Sequence, residues 1–210
     1  VMFFSAILVL LVAKVFSFSK EITGSLMLVA ILGNTSFMGI PIVNAYMGES
    51  AIPYVLVYDQ LGTFIALAIY GTFIASYYSS KNQITFKIIT LKVLTFPPFI
   101  SLVAALFLMG VEFNPILSKV LASFSSTIVP MALVAVGLQL QFKLPKEDLK
   151  PFSIALVIKL IIAPIFAIII CKIFSWDNEV SVVSIMESAM APMITAGAIA
   201  SMAGLAPRLS

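Results

Sequence analysis

The chain has 210 residues, of which 61% are hydrophobic and 10% are charged, and its formal net charge is +3. Soluble domains are roughly one-quarter charged; with a mean hydropathy of +1.16, the composition excludes a soluble protein and predicts an all-α polytopic membrane protein. The lack of histidine and the single cysteine argue against a metal centre and a disulfide framework, and the scattered lysines argue against nucleic acid as a partner.

Seven apolar stretches are long enough to cross the hydrocarbon core, which takes about 20 residues per helix. They lie at about residues 1–18, 22–47, 52–78, 91–109, 116–140, 152–174 and 180–205. Neither a charged leader nor a small-residue cleavage site precedes the first stretch, so no signal peptide is predicted. We expect the chain to begin partway through a larger protein.

The cationic residues predict the orientation of these spans. Connections after odd-numbered spans, with the end of the chain, carry most of them: Lys20, Lys81, Lys87, Lys143, Lys146, Lys150 and Arg208. The opposite side holds Lys119 and Lys172. Because cytoplasmic loops are rich in lysine and arginine, we expect a multi-pass protein of the cell (inner or plasma) membrane, with residue 1 outside.

The second span contains residues that lipid disfavours. Proline lacks a backbone N–H and clashes with the preceding turn, so a helix through Pro41 is expected to bend or break. In hydrocarbon a broken helix needs protein or a water-filled cavity around it, and transporters place substrate and ion sites at such breaks. A kinked structural helix is the alternative. The residues concerned are Gly33, Asn34, Thr35, Ser36, Gly39, Pro41 and Asn44.

The seventh span is interrupted in a similar way. Glu187 and Ser188 precede Pro192, and Thr195 follows it. The two prolines are 192 − 41 = 151 residues and five spans apart, and an odd number of spans reverses the direction of crossing. This spacing predicts an inverted-topology repeat of five spans, hence ten spans in the complete protein and seven here. Chance matching of the prolines is the alternative.

Charges inside the spans each call for a partner or a role, because a charge at the bilayer centre costs about 2.5–3.5 kcal/mol. Glu187 is interpreted either as the group that takes up a coupled Na+ or H+, or as a structural partner of Lys159. For Asp59 an interfacial position is favoured over ion coupling. For Lys14 and Lys159 snorkelling is favoured over substrate contact. Asn34 is interpreted as a ligand contact, with repair of the break as the alternative.

Three motifs resemble the auxin efflux carrier family, whose bacterial members include malonate and malate permeases. Residues 33–41, Gly-Asn-Thr-Ser-Phe-Met-Gly-Ile-Pro, are similar to its fourth span. Residues 130–137, Pro-Met-Ala-Leu-Val-Ala-Val-Gly, are similar to its seventh span. Residues 187–192, Glu-Ser-Ala-Met-Ala-Pro, are similar to its ninth, which more often lacks a residue corresponding to Ala191.

The resemblance implies a fold like that of the bile acid/sodium symporters, in which two broken helices cross at the bilayer centre. It implies a transport domain at residues 1–78 and 151–210, which slides against a scaffold that includes residues 79–150. It also implies a small organic anion as substrate, and it allows a homodimer through the scaffold. Site residues follow from the breaks: Asn34, Thr35, Ser36, Pro41, Asn44, Glu187, Pro192 and Thr195, with Asp59 as a further group for ion coupling.

The function indicated is a secondary active transporter of small organic anions, such as dicarboxylates or auxin-like carboxylates, with elevator-type alternating access. No cofactor is expected beyond a coupled Na+ or H+. A passive anion channel and a non-transporting membrane fragment are the alternatives. An intramembrane enzyme is disfavoured, because there is no histidine and Asp59 is the only aspartate within a span.

Overall fold

The computed structural model describes residues 1–79, 97–139 and 149–205, and within these ranges the regular elements are helices. The helices are α1 (Met2–Val15), α2 (Lys20–Val29), α3 (Ile40–Met47), α4 (Glu49–Tyr78), α5 (Pro97–Phe107), α6 (Pro115–Ser126), α7 (Ile128–Gln139), α8 (Leu149–Ile173), α9 (Glu179–Ser188) and α10 (Ile194–Met202).

Among the described residues, three apolar helical segments, one of them made of α6 with the start of α7, are long enough to cross a membrane. They are Glu49–Tyr78, Pro115–Ala135 and Leu149–Ile173, and α1 is a shorter apolar helix. Their lengths and composition agree with the predicted helical membrane protein. Ten spans and an inverted repeat remain predictions.

Both spans predicted to be broken are interrupted. The second divides into α2 and α3, and the seventh divides into α9 and α10. The first interruption includes Gly33, one of the two glycines expected at the break, because α2 ends at Val29 and a π-helical turn begins at Thr35. Pro41 lies instead in the first turn of α3. Proline is tolerated in a first turn, where its missing N–H has no helical partner to lose. The first break therefore lies at residues 30–34, before the proline.

The apolar core surrounds α2. Every residue from Thr23 to Val29 is buried, and the core cluster also includes residues of α1, α4, α8 and α10. Gly24 permits the close approach of α2 to α4, since a Cβ there would lie 2.6 Å from Cβ of Tyr78. The break that follows α2 therefore lies inside the protein as well.

Helices α5 to α7 are largely exposed, and α6 has no buried residue. A turn at Thr127 separates α6 from α7, three residues before Pro130, whose missing N–H cannot bond to the carbonyl of Ser126. Helix α7 packs against α3 and against the turn Thr35–Gly39. This middle part therefore touches the first broken span directly.

Some predictions fall outside the described residues. These are the start of the fourth span at residues 91–96, most of the connections at 79–90 and 141–150, and the end of the chain at 206–210. The orientation and the transport and scaffold domains also remain predictions.

Candidate substrate and ion site at the helix crossing

The two interrupted spans are joined by backbone hydrogen bonds. The N–H of Asn34 donates to the carbonyl of Ala191 at 2.7 Å, and the N–H of Met193 donates to the carbonyl of Leu32 at 2.9 Å. The two bonds form an antiparallel bridge between Gly33 and Pro192. Backbone groups that the helix ends leave unpaired are thus satisfied within the protein, as hydrocarbon requires. The two breaks therefore meet.

Gly33 leaves space at the crossing for the amino end of Lys159. A Cβ at Gly33 would lie 2.8 Å from Nζ and 3.1 Å from Cε of Lys159, and 3.6 Å from the carbonyl oxygen of Glu187. Any larger residue would have to displace the lysine. Pro192, opposite Gly33 in the bridge, has no backbone N–H. Its neighbours Ala191 and Met193 make the hydrogen bonds of the bridge.

Beyond the crossing both spans restart as helices, but their starts differ. Oδ1 of Asn34 accepts a hydrogen bond from the N–H of Phe37 at 3.1 Å and caps the turn that leads into α3. Met193, at the corresponding place before α10, provides no side-chain cap. The first N–H groups of a helix lack helical partners and carry partial positive charge. The start of α10 therefore suits an anion.

Asp59 is bound to the first broken span. It is 2% exposed, and its Oδ1 accepts hydrogen bonds from Oγ1 of Thr35 at 2.5 Å and from Oγ of Ser36 at 2.6 Å. Its Oδ2 accepts from Nε2 of Gln60 at 2.6 Å. Snorkelling of Asp59 is wrong, because this carboxylate is buried against the break, whereas its depth in the membrane stays a prediction. Three hydrogen-bond donors thus converge on its two oxygens.

Glu187 is a fully buried carboxylate. The residue is 0% exposed, and within the described ranges neither Oε1 nor Oε2 has a hydrogen-bond partner. Both oxygens face Gly39 so closely that a Cβ there would overlap them. Asp59 and Lys159 are the charged groups that act on it electrostatically. An unpaired buried carboxylate is costly, so this group needs a proton or a cation.

Lys159 also reaches the crossing. It is 4% exposed, and its Nζ donates a hydrogen bond to the carbonyl of Ile31 at 3.4 Å. Snorkelling is therefore the wrong interpretation for Lys159, whose amino group points into the protein. Lys14, in contrast, is exposed on α1, and snorkelling stays a prediction for it.

Sequence reasoning missed two residues beside Asp59. Oε1 of Gln60 and Oγ1 of Thr63 are buried, and neither has a hydrogen-bond partner in the part of the chain that the structure describes. Both lie, with Asp59, in the π-helical turn Tyr58–Phe64, and π-helical turns occur often at functional sites. The signal was present, because Asp59 and Thr63 are four residues apart in an apolar span and so share a helix face.

The remaining predicted site residues are spread out along their helices. Pro41 is buried in the first turn of α3, and Thr195 is exposed in the first turn of α10. Asn44 is half-buried on α3, nine residues past Thr35, which is about 14 Å along a helix axis. The crossing thus unites Asn34, Thr35, Ser36, Glu187 and Pro192 with Gly33 and Gly39, whereas Asn44 lies further along its helix.

Interrupted helices that meet inside a helical membrane protein, beside buried charges, are the arrangement that many membrane transporters use. The chain belongs to the membrane transport protein family, whose sequence profile matches residues 1–210. This match confirms, at the level of the family, the resemblance found in the three motifs.

Two archaeal relatives carry the name of uncharacterized transporters. The chain is 30% identical over 193 residues to one from Methanocaldococcus jannaschii, covering 89% of this chain and 61% of the relative. It is 23% identical over 184 residues to one from Methanothermobacter thermautotrophicus, covering 85% and 58%. The chain thus spans about three-fifths of the length of these relatives. No solved structure matches it significantly.

Proposed function

We propose that the chain forms the main part of a secondary active transporter that moves small organic anions, such as dicarboxylates or auxin-like carboxylates. The observation that carries the proposal is the hydrogen-bonded crossing at Gly33 and Pro192. Transporters with broken helices use the start of a half-helix for an anionic group and the ends of half-helices, with unwound carbonyls, for cations. Both kinds of helix end converge at this crossing.

The anion side of the proposed site lies at the restarting helices. The uncapped start of α10 offers backbone N–H groups and the exposed Thr195 hydroxyl. On the other span, the amide oxygen of Asn34 is occupied by the N–H of Phe37, so its NH₂ group remains for donation. Such donors bind a carboxylate without a fixed cation. This chemistry supports a carboxylate-bearing substrate.

The cation side of the proposed site is the pair of buried carboxylates. Asp59 is held by three hydrogen-bond donors, whereas Glu187 has none. The unpaired oxygens of Gln60 and Thr63 add neutral ligands of the type that Na+ accepts. We assign the coupled Na+ or H+ to Glu187, since a free buried carboxylate is the group that gains most from either.

A cavity of about 440 Å³ lies beside the helices that carry these carboxylates. It is lined by Tyr58, which precedes Asp59, and by Ser181 and Ser184 on the helix that carries Glu187. In the proposed cycle an ion enters along this cavity, and the domain that contains α1 to α4 and α8 to α10 slides past α5 to α7.

The test is uptake of labelled malate, malonate and indole-acetate by proteoliposomes that contain the full-length protein. A carrier accelerates release of labelled anion when unlabelled anion is present on the opposite side, and a channel does not. Glu187→Gln should leave the exchange of anions measurable and abolish accumulation driven by an imposed Na+ or H+ gradient. If accumulation in Glu187→Gln still follows the gradient, Glu187 does not bind the coupled ion and has a structural role. Lys14→Gln, at an exposed lysine, is the matched control.

A further inference from the structure

Lys159 is a buried cation to which the proposed transport cycle assigns no role. It lies on the π-helical turn Ile158–Ile162 of α8 and extends its amino group to the crossing, beside Gly33. It is 4% exposed. A lysine buried to this extent loses its hydration, so the protein must replace that hydration with acceptors or with negative charge.

A carbonyl acceptor and a carboxylate lie near the amino group of Lys159. Nζ donates to the carbonyl of Ile31, which lies just past the end of α2. The carbonyl of Glu187, in the last turn of α9, lies beside the same glycine, and the Glu187 carboxylate acts on the lysine electrostatically. Helix C-terminal ends carry about half a negative charge. The chain just past α2 thus supplies one acceptor to the ammonium group, and the last turn of α9 lies beside the same glycine.

We propose that Lys159 is a resident cation of the crossing. Its ammonium permanently occupies a position beside the ends of two half-helices, bonded to the carbonyl of Ile31, where a dissolved monovalent cation would otherwise be held. Lys159 is thus a positioning residue, which keeps the ends of α2 and α9 together while the rest of the site exchanges its ions. The proposal concerns the charge of this side chain and does not depend on transport activity.

The proposal predicts that a small cation replaces the missing charge. Lys159→Ala removes three methylenes and the ammonium, which together match propylammonium. In the purified full-length protein, the thermal unfolding midpoint should fall by several degrees. Propylammonium chloride should restore most of the loss. Neutral 1-propanol of similar shape, and choline chloride at the same ionic strength, should not.

Two further variants separate charge from volume. Lys159→Met fills the space without the charge, so its midpoint should also fall and propylammonium should not restore it. Lys14→Ala, on the exposed lysine, should behave like the unmodified protein. Rescue of Lys159→Ala by 1-propanol as well as by propylammonium, or rescue by neither, would overturn the proposal. If Lys159→Ala cannot be purified, Lys159→Met decides: an unchanged midpoint refutes the resident cation, and a lowered midpoint supports it.

Discussion

Gly39 is the position at which the proposed cation site can be perturbed most selectively. A Cβ added there would overlap both carboxylate oxygens of Glu187 and lie 2.7 Å from its Cδ. Ordinary van der Waals contact begins at 3.4 Å, so the carboxylate or the turn Thr35–Gly39 must move by at least 0.7 Å. Because Glu187 is fully buried, its carboxylate has no solvent to move into.

The size of the effect follows from this displacement. Overpacking a filled interior typically costs about 1–3 kcal/mol. If Glu187 binds the cation, the overpacking energy is lost from the binding free energy of the cation. The affinity of the protein for the cation should then fall about 5- to 150-fold. The measurement is the concentration of Na+, or of H+, that half-maximally raises the thermal unfolding midpoint of the full-length protein, with choline balancing the ionic strength.

Gly62→Ala is the matched control for Gly39→Ala. Gly62 lies in the same π-helical turn as Asp59, and nothing lies within 4 Å of an added Cβ. The thermal unfolding midpoint of Gly62→Ala should therefore depend on cation concentration in the same way as that of the unmodified protein. If Gly39→Ala and Gly62→Ala titrate alike, the carboxylate of Glu187 is not a ligand of the coupled ion, and that assignment fails.

The hydrogen bonds of the site give the remaining predictions. Thr35→Val removes one donor to a buried carboxylate and should lower the free energy of unfolding by about 1.5–3 kcal/mol, measured by denaturation. The exposed Thr195→Val should change it by less than about 0.5 kcal/mol, and equal effects would contradict the Asp59 network. Asn34→Ala removes a helix cap worth about 1 kcal/mol and should reduce anion uptake more than Pro41→Ala does, because Pro41 lies outside the break. The reverse order would place the proline at the site.

Composition and local chemistry were enough to predict the helices and the fact that two of them break. They also indicated Gly33 as a residue of the first break, but they did not show which residues surround it. Proline restricts a helix only beyond its first turn, and the sequence does not tell where α3 begins. At Gly33 a larger residue would have to displace Lys159. That contact joins residues 126 positions apart, so no local pattern contains it.

The burial of Asp59 could not be predicted from the sequence around it either. Hydropathy placed Asp59 near the membrane interface, because it lies toward one end of its span. Its partners Thr35 and Ser36 come from another helix, and their hydroxyls make burial of the carboxylate tolerable. Position along a span gives depth in the membrane, whereas burial depends on the helices that pack alongside.

One short segment connects the two sides of the proposed site. The turn Thr35–Gly39 is capped by Asn34, donates two hydroxyl hydrogen bonds to Asp59, and lies against Glu187 through Gly39. In the proposed cycle the coupled ion binds Glu187, which contacts this turn at Gly39. Asn34, the proposed donor to the anion on this span, caps the same turn. The proposed ion and anion sites are therefore linked by direct contact through one segment.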